Sequence, residues 1–115
     1  MEGRLNINVS TIDYDNTSKV AIHQLTLLET MVHGEDDFVV TDSEFALGWH
    51  FFVISINRSM ISKLKGLMGM SFKSLKGKTD DKKFLTLLES RMTGKAPRFK
   101  LAIKEEMESS KYGLF

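Results

Sequence analysis

The spacing of the hydrophobic residues changes early in this chain, from every second residue to every third or fourth residue. Leu5, Ile7 and Val9 alternate with polar residues, which is typical of a strand with one buried face. Over residues 19–33 the apolar positions recur at helical spacing, and Gly34 follows where such a helix would need a left-handed residue. The two patterns predict a strand followed by an amphipathic helix.

The next part of the chain is predicted to contain turns and two more strands. Residues 15–18 are polar and predict a turn that also supplies the cap of the first helix. Residues 38–41 predict a short strand, and residues 42–48 predict a loop. The aromatic and β-branched run at 49–56 predicts the most buried strand, with both faces covered because the run is almost continuously apolar.

Two helical patterns follow in the second half of the chain. Apolar residues at helical spacing predict a helix over 59–76, and two internal glycines weaken it enough to predict a break within 66–70. Thr79 is the expected N-cap of the following helix, which Gly94 is expected to end.

The segment 98–111 fits two structures. Phe99, Leu101 and Ile103 alternate with other residues as in a strand. Pro97 at a first helical position and strong helix formers through Glu108 favour a helix instead. We expect the helix, whose apolar face would comprise Phe99, Ala102, Ile103 and Met107.

The resulting element order is β-α-β-β-α-α-α. It predicts an α+β fold in which a small, mostly antiparallel, three-stranded sheet is packed by three to four helices. The 115 residues, 42% of them hydrophobic, fit a single domain over 1–115 with its own core. The strand at 4–14 would be a long edge strand, and an unprotected edge predicts a homodimer formed through it.

Several function classes lack the residues they need. The chain has no cysteine, so thiolate catalysis and Cys-ligated metal sites are excluded. His23 and His33 are ten residues apart, about 80° off a common helical face, and His50 lies in an apolar run. No serine lies in a nucleophile elbow. We expect a protein without catalytic activity, cofactor or metal, located in the cytoplasm because neither a signal peptide nor a membrane-spanning segment is evident.

Charge is distributed very unevenly along the chain. Residues 1–57 carry two basic and nine acidic side chains, a net charge of −7, whereas residues 58–115 carry fourteen and six, a net charge of +8. Such asymmetry indicates either an anionic partner or contact between the two halves. The basic half contains a series of lysines: Lys63, Lys65, Lys73, Lys76, Lys78, Lys82 and Lys83.

Five of these lysines are candidate contacts to a nucleic-acid backbone, because they surround a predicted turn between helices: Lys73, Lys76, Lys78, Lys82 and Lys83. Asp80 and Asp81 at the start of the next helix would repel an anion there. Residues that read base edges are missing between Lys63 and Lys83, so any binding would be weakly selective. A solvated helix face is the simplest alternative.

Two other partners fit the same charges. The acidic half of one copy could bind the basic half of another, as in an inhibitor, a viral structural protein or another self-assembling protein, or the basic half could bind an acidic protein. The basic amphipathic stretch 62–76 could instead touch an anionic membrane surface. We expect no small-molecule substrate.

Overall fold

The computed structural model describes residues 3–105, which form four helices and a five-stranded antiparallel sheet. The α+β class predicted from the sequence is confirmed, with two more strands than expected. The elements in chain order are β1 (Arg4–Thr11), α1 (Tyr14–Met31), β2 (Phe38–Val40), β3 (Glu44–Ala46), β4 (Trp49–Asn57), α2 (Arg58–Met68), α3 (Met70–Lys73), α4 (Asp80–Met92) and β5 (Phe99–Ile103).

β1 is a central strand of the sheet. It pairs with β4 on one side and with β5 on the other, so that Ile7 lies opposite both Ile54 and Ile103. β2 and β3 both pair with β4. The prediction that residues 4–14 form an edge strand is therefore wrong, because a partner from the C-terminal part of the chain covers the side expected to be free. The edge-strand argument for a homodimer loses its basis.

The two additional strands lie where other structures were predicted. β3 forms within the expected loop 42–48, as the first strand of a tight hairpin with β4. β5 replaces the helix expected at 98–111, because its alternating apolar residues pair with β1: Leu101 lies opposite Val9, and Ile103 opposite Ile7. Tertiary pairing outweighs local helix propensity here. The part of that prediction that includes Met107 and Glu108 lies outside the described residues.

The helices cover one face of the sheet. Leu5, Ile7 and Val9 of β1 point into the core, together with Phe72 of α3 and Phe84 of α4, and all five are almost completely buried. The opposite face is open, as the alternating burial of β1 and β4 shows. The expectation that both faces of residues 49–56 are covered is therefore wrong. Phe51 shows this most clearly, because it is 43% exposed.

The helix ends follow capping rules, although not always at the predicted residue. Asp13 caps α1 by accepting a hydrogen bond from the Asn16 amide, so residues 15–18 lie inside the helix and do not form a turn before it. His33, with φ 57°, is the left-handed residue after α1. Gly34 is needed for another reason, since a Cβ atom there would collide with the Asp37 carboxylate.

Two predictions about the second half of the chain are confirmed. α2 ends at Met68, Gly69 with φ 57° caps it, and the chain continues into the short helix α3, so the break lies within the predicted 66–70. Thr79 caps α4 by accepting a hydrogen bond from the Lys82 amide. Together these two boundaries place α3 and its following turn between α2 and α4, in the region of the candidate lysines.

Candidate nucleic-acid interface

The five candidate lysines lie on α3, on the turn that follows it and on the start of α4. We call this group the lysine corner: Lys73, Lys76, Lys78, Lys82 and Lys83. The turn folds back closely on α4. Thr86 of α4 donates a hydrogen bond to the Lys76 carbonyl at 2.8 Å. A Cβ atom on Gly77 would lie 2.7 Å from the Lys82 Cβ. The turn after α3 therefore packs directly on the first turns of α4.

One member of the corner has a structural role. The Lys83 ammonium donates to the Lys73 carbonyl at 3.1 Å and to the Leu75 carbonyl at 2.9 Å. An ammonium group has three N–H donors, so two of them are used to hold the end of α3 against α4. Lys83 is the most enclosed of the five, whereas the other four side chains are exposed.

The carboxylates at the start of α4 are paired with cations of α2. Arg58 makes a two-pronged contact with Asp81, at 2.8 and 3.2 Å, and the pKa of its guanidinium is raised, chiefly by this hydrogen bonding. Lys65 lies 3.2 Å from Asp80. The repulsion of anions that Asp80 and Asp81 would cause is therefore largely offset within the protein.

Three lysines of the corner differ from Arg58 and Lys65 of α2 in their lack of ion pairs within the described part of the chain. Lys73, Lys76 and Lys78 are exposed, and no carboxylate in the described part of the chain forms an ion pair with them. Two large apolar side chains lie near them, Leu67 with 58% and Met70 with 73% of its surface exposed. This surface is basic, with a small apolar tip.

A second feature lies on the open face of the sheet, where residues line a groove of about 650 Å³. Its residues come from β1, β3, β4, β5, the segment before β3 and the residue after β5, and those used below are Asn8, Ser10, Asp42, Glu44, Phe51, Val53, Lys100, Ala102 and Lys104. This groove was not predicted from the sequence, because residues 98–111 were expected to form a helix. The alternation of the apolar Phe99, Leu101 and Ile103 with Lys100 and Ala102 was the signal, since a strand places alternate residues on opposite faces; Lys104 follows directly after β5.

The histidines do not form a metal site. His23 and His33 are exposed on and just after α1. His50 lies beside Phe45, with 4.8 Å between ring centroids, and its buried Nδ1 has no hydrogen-bond partner. Among residues 3–105, no group of three or more His, Asp or Glu side chains could hold a metal ion. No helix in this range is long and apolar enough to cross a bilayer.

The chain matches no protein-family model, no curated protein and no solved structure at significant similarity. Without the element β3, its strand order corresponds to the β-α-β-β-α-β supersecondary pattern, with α2, α3 and α4 together forming the second crossover. That pattern supports many unrelated activities, so function must be argued from the surfaces described above.

Proposed function

We propose that this protein is a non-catalytic nucleic-acid-binding protein that contacts phosphates through its lysine corner. The observation that carries the proposal is the pairing of Asp80 and Asp81 with α2. Because Lys65 and Arg58 neutralise these carboxylates, Lys73, Lys76 and Lys78 project from a region with little opposing charge. Binding of this kind belongs to a compartment that contains nucleic acid, which fits the cytoplasmic location expected from the sequence.

Contacts of this type bring affinity and little sequence selectivity. Lysine binds phosphate as a point charge, and the corner offers no side chain that reads two atoms of a base edge. If three phosphates are neutralised on duplex DNA, the affinity falls with salt at a slope of about −2.7 on logarithmic axes. Raising the salt from about 50 to about 200 mM should then weaken binding roughly fortyfold.

The test compares two charge-reversal variants with equal changes in net charge. The first carries Lys73→Glu, Lys76→Glu and Lys78→Glu, and the second carries Lys19→Glu, Lys95→Glu and Arg98→Glu, all exposed positions away from the corner. Fluorescence anisotropy with labelled duplex and single-stranded DNA should show at least a tenfold loss for the first variant and a much smaller loss for the second. Thermal unfolding should change little in either, because exposed charges contribute little to stability.

Three outcomes would contradict the proposal. One is binding that does not respond to salt, and another is an equal loss of affinity in both variants. The third is binding of the parent protein to anionic lipid vesicles but to neither DNA, which would assign the corner and the exposed Leu67 and Met70 to a membrane surface instead.

A second candidate function is self-assembly, and the β3–β4 hairpin favours it. At the tip of this hairpin Leu47 is 96% exposed and Phe45 is 65% exposed, while Asp42 and Glu44 add negative charge on the same segment. This acidic and apolar tip complements the basic corner with its exposed Leu67 and Met70. A contact between the two would join different surfaces of two copies, head to tail.

A further inference from the structure

The groove on the open face has a fixed order of side chains, set by the register of four strands. Glu44 lies opposite Phe51, Phe51 opposite Ser10, and Ser10 opposite Lys100. With neighbouring strands about 4.8 Å apart, this row extends about 14 Å from its acidic end to its basic end. Along the row, the side chains therefore present in order a carboxylate, an aromatic ring, a hydroxyl and an ammonium group.

The side chains of the next row form the floor of the groove between its acidic and basic ends. Val53 lies opposite Asn8, and Asn8 lies opposite Ala102. Ala102 has a short side chain, and Lys100 of β5 and Lys104, which follows directly after β5, line the groove with it. The groove volume of about 650 Å³ lies within the range of small-molecule sites, about 300–1,000 Å³.

Phe51 provides the surface on which a planar ring can stack. Phe51 is 43% exposed although β4 is paired on both sides at this position, with Ser10 of β1 and Glu44 of β3, and its ring lies on the sheet face without helices. An aromatic ring presented in this way on an antiparallel sheet is a stacking platform for an unpaired base. The same ring would not reach the base of an intact duplex.

The acidic end determines which base fits. Asp42 and Glu44 line the groove beside Phe51, and ionised carboxylates only accept hydrogen bonds. Guanine presents two adjacent N–H donors on its Watson–Crick edge, which one carboxylate can accept together. Uracil and thymine present one such donor. A carboxylate at this position therefore favours guanine.

The basic end suits a phosphate. Lys100 lies two strands, about 10 Å, from Phe51, and a nucleotide together with a long lysine side chain spans this separation. Lys104 adds a second cation on the same side of the groove. The acidic and basic ends are far enough apart for the base and the phosphate to interact with opposite charges.

From this order of side chains we propose that the groove binds one guanine nucleotide unit, with its base on Phe51, its Watson–Crick edge at Glu44 and Asp42, and its phosphate at Lys100 and Lys104. The proposal does not depend on the lysine corner, which lies on the helical side of the sheet. The nucleotide can belong to a single strand or be free, and the two sources are separated below.

Binding is measured by fluorescence anisotropy with two single-stranded probes of about ten nucleotides, a length within the usual site size. One is oligothymidylate, and the other has guanine at its central position. The parent protein should prefer the guanine probe. Phe51→Ala should weaken binding of this probe about tenfold, and Glu44→Gln should remove most of the preference for guanine. Lys100→Glu with Lys104→Glu should weaken binding of both probes.

Matched controls come from the same sheet and the same charge class. Val39 is exposed on β2 but does not line the groove, so Val39→Ala should bind as the parent does. Lys95→Glu removes an exposed charge outside the groove and should have a small effect. Thermal unfolding of each variant checks the fold, which Phe51→Ala should preserve because the ring is only half-buried.

A second readout separates a free nucleotide from a strand. Guanosine monophosphate added to the isotope-labelled protein should shift the amide signals of Asn8, Ser10, Phe51 and Ala102 if the groove accepts the free nucleotide. The same signals shifting only with the guanine probe would assign the site to a strand. Both outcomes support the proposal.

The proposal is overturned if Phe51→Ala and the Lys100/Lys104 variant bind both probes and guanosine monophosphate as the parent does. It is also overturned if the groove amides shift only on self-association of the protein. If the Lys73/Lys76/Lys78 variant loses all binding while the groove variants do not, the corner function stands and the groove proposal fails. The reverse pattern would retain the groove and reject the corner.

Discussion

Single glycines in this protein are required for different reasons that the sequence alone does not distinguish. Gly77 has φ 131°, and a Cβ there would come within 2.9 Å of the Lys82 carbonyl carbon and the Lys83 nitrogen. Gly66 lies within α2, and a Cβ there would meet nothing within 4 Å. The sequence predicted Gly66 as one of two glycines that weaken a helix, and Gly77 as part of the turn between two helices. Only the folded chain shows that Gly77 lets the corner turn contact α4.

The two glycines should respond oppositely to alanine. We expect Gly77→Ala to lower the free energy of unfolding by about 2 kcal/mol or more, because both the backbone conformation and the space are unsuitable. Gly66→Ala should raise it by about 0.5–1 kcal/mol, because alanine is the better helix former. Urea denaturation followed by circular dichroism measures both changes. Equal stability of the two variants would contradict this account of the turn.

At the level of elements, the sequence predicts local structure well and pairing poorly. The α4 cap at Thr79 and the break before α3 depend on neighbouring residues, and both were predicted correctly. β5 was predicted as a helix because its propensities are helical, and only pairing with β1 makes it a strand. β3 is only three residues long and depends entirely on β4.

The contact between α2 and α4 allows a prediction at the same scale. Asp81→Asn and Asp80→Asn both remove a favourable charge from the first turn of α4, so this loss is common to both variants. In Asp81→Asn an amide NH2, which cannot accept a hydrogen bond, also replaces one of the two carboxylate oxygens that bind Arg58, in a pair whose side chains are only 34% and 25% exposed. The side chains of Lys65 and Asp80 are both 47% exposed, and a pair of this kind contributes less.

We therefore expect Asp81→Asn to cost about 0.5 kcal/mol more in the free energy of unfolding than Asp80→Asn. Chemical denaturation at low salt measures the difference, which should shrink at high salt. A larger loss for Asp80→Asn would show that the Arg58 contact does not hold α2 to α4 as described.

On the scale of the whole molecule, the separation of the site residues along the chain decided which site could be predicted from the sequence. The lysine corner joins residues close together in the chain, so a turn between two helices was enough to predict it. The groove joins Phe51 to Lys100 through β1, and that arrangement requires the strand order of the complete sheet. The exposed hairpin tip was also missed, because β3 was predicted as a loop.

The hairpin tip yields the prediction for self-assembly. Light scattering should show association of the parent that increases with concentration and decreases with salt, if the tip binds the corner of another copy. Leu47→Asn should reduce this association without unfolding the protein, because Leu47 has φ 54° and asparagine tolerates that conformation well. Val39→Ser, on an exposed position of β2, is the control. A constant monomer mass at all concentrations would exclude this second function.

The central place of β1 also affects how the protein folds during synthesis. β1 leaves the ribosome before its neighbour β5, which is made about ninety residues later. Until then one side of the strand has unused amide and carbonyl groups, which favour pairing with other chains. The nascent chain should therefore need protection, by a chaperone or by its own helices, until translation has passed residue 103.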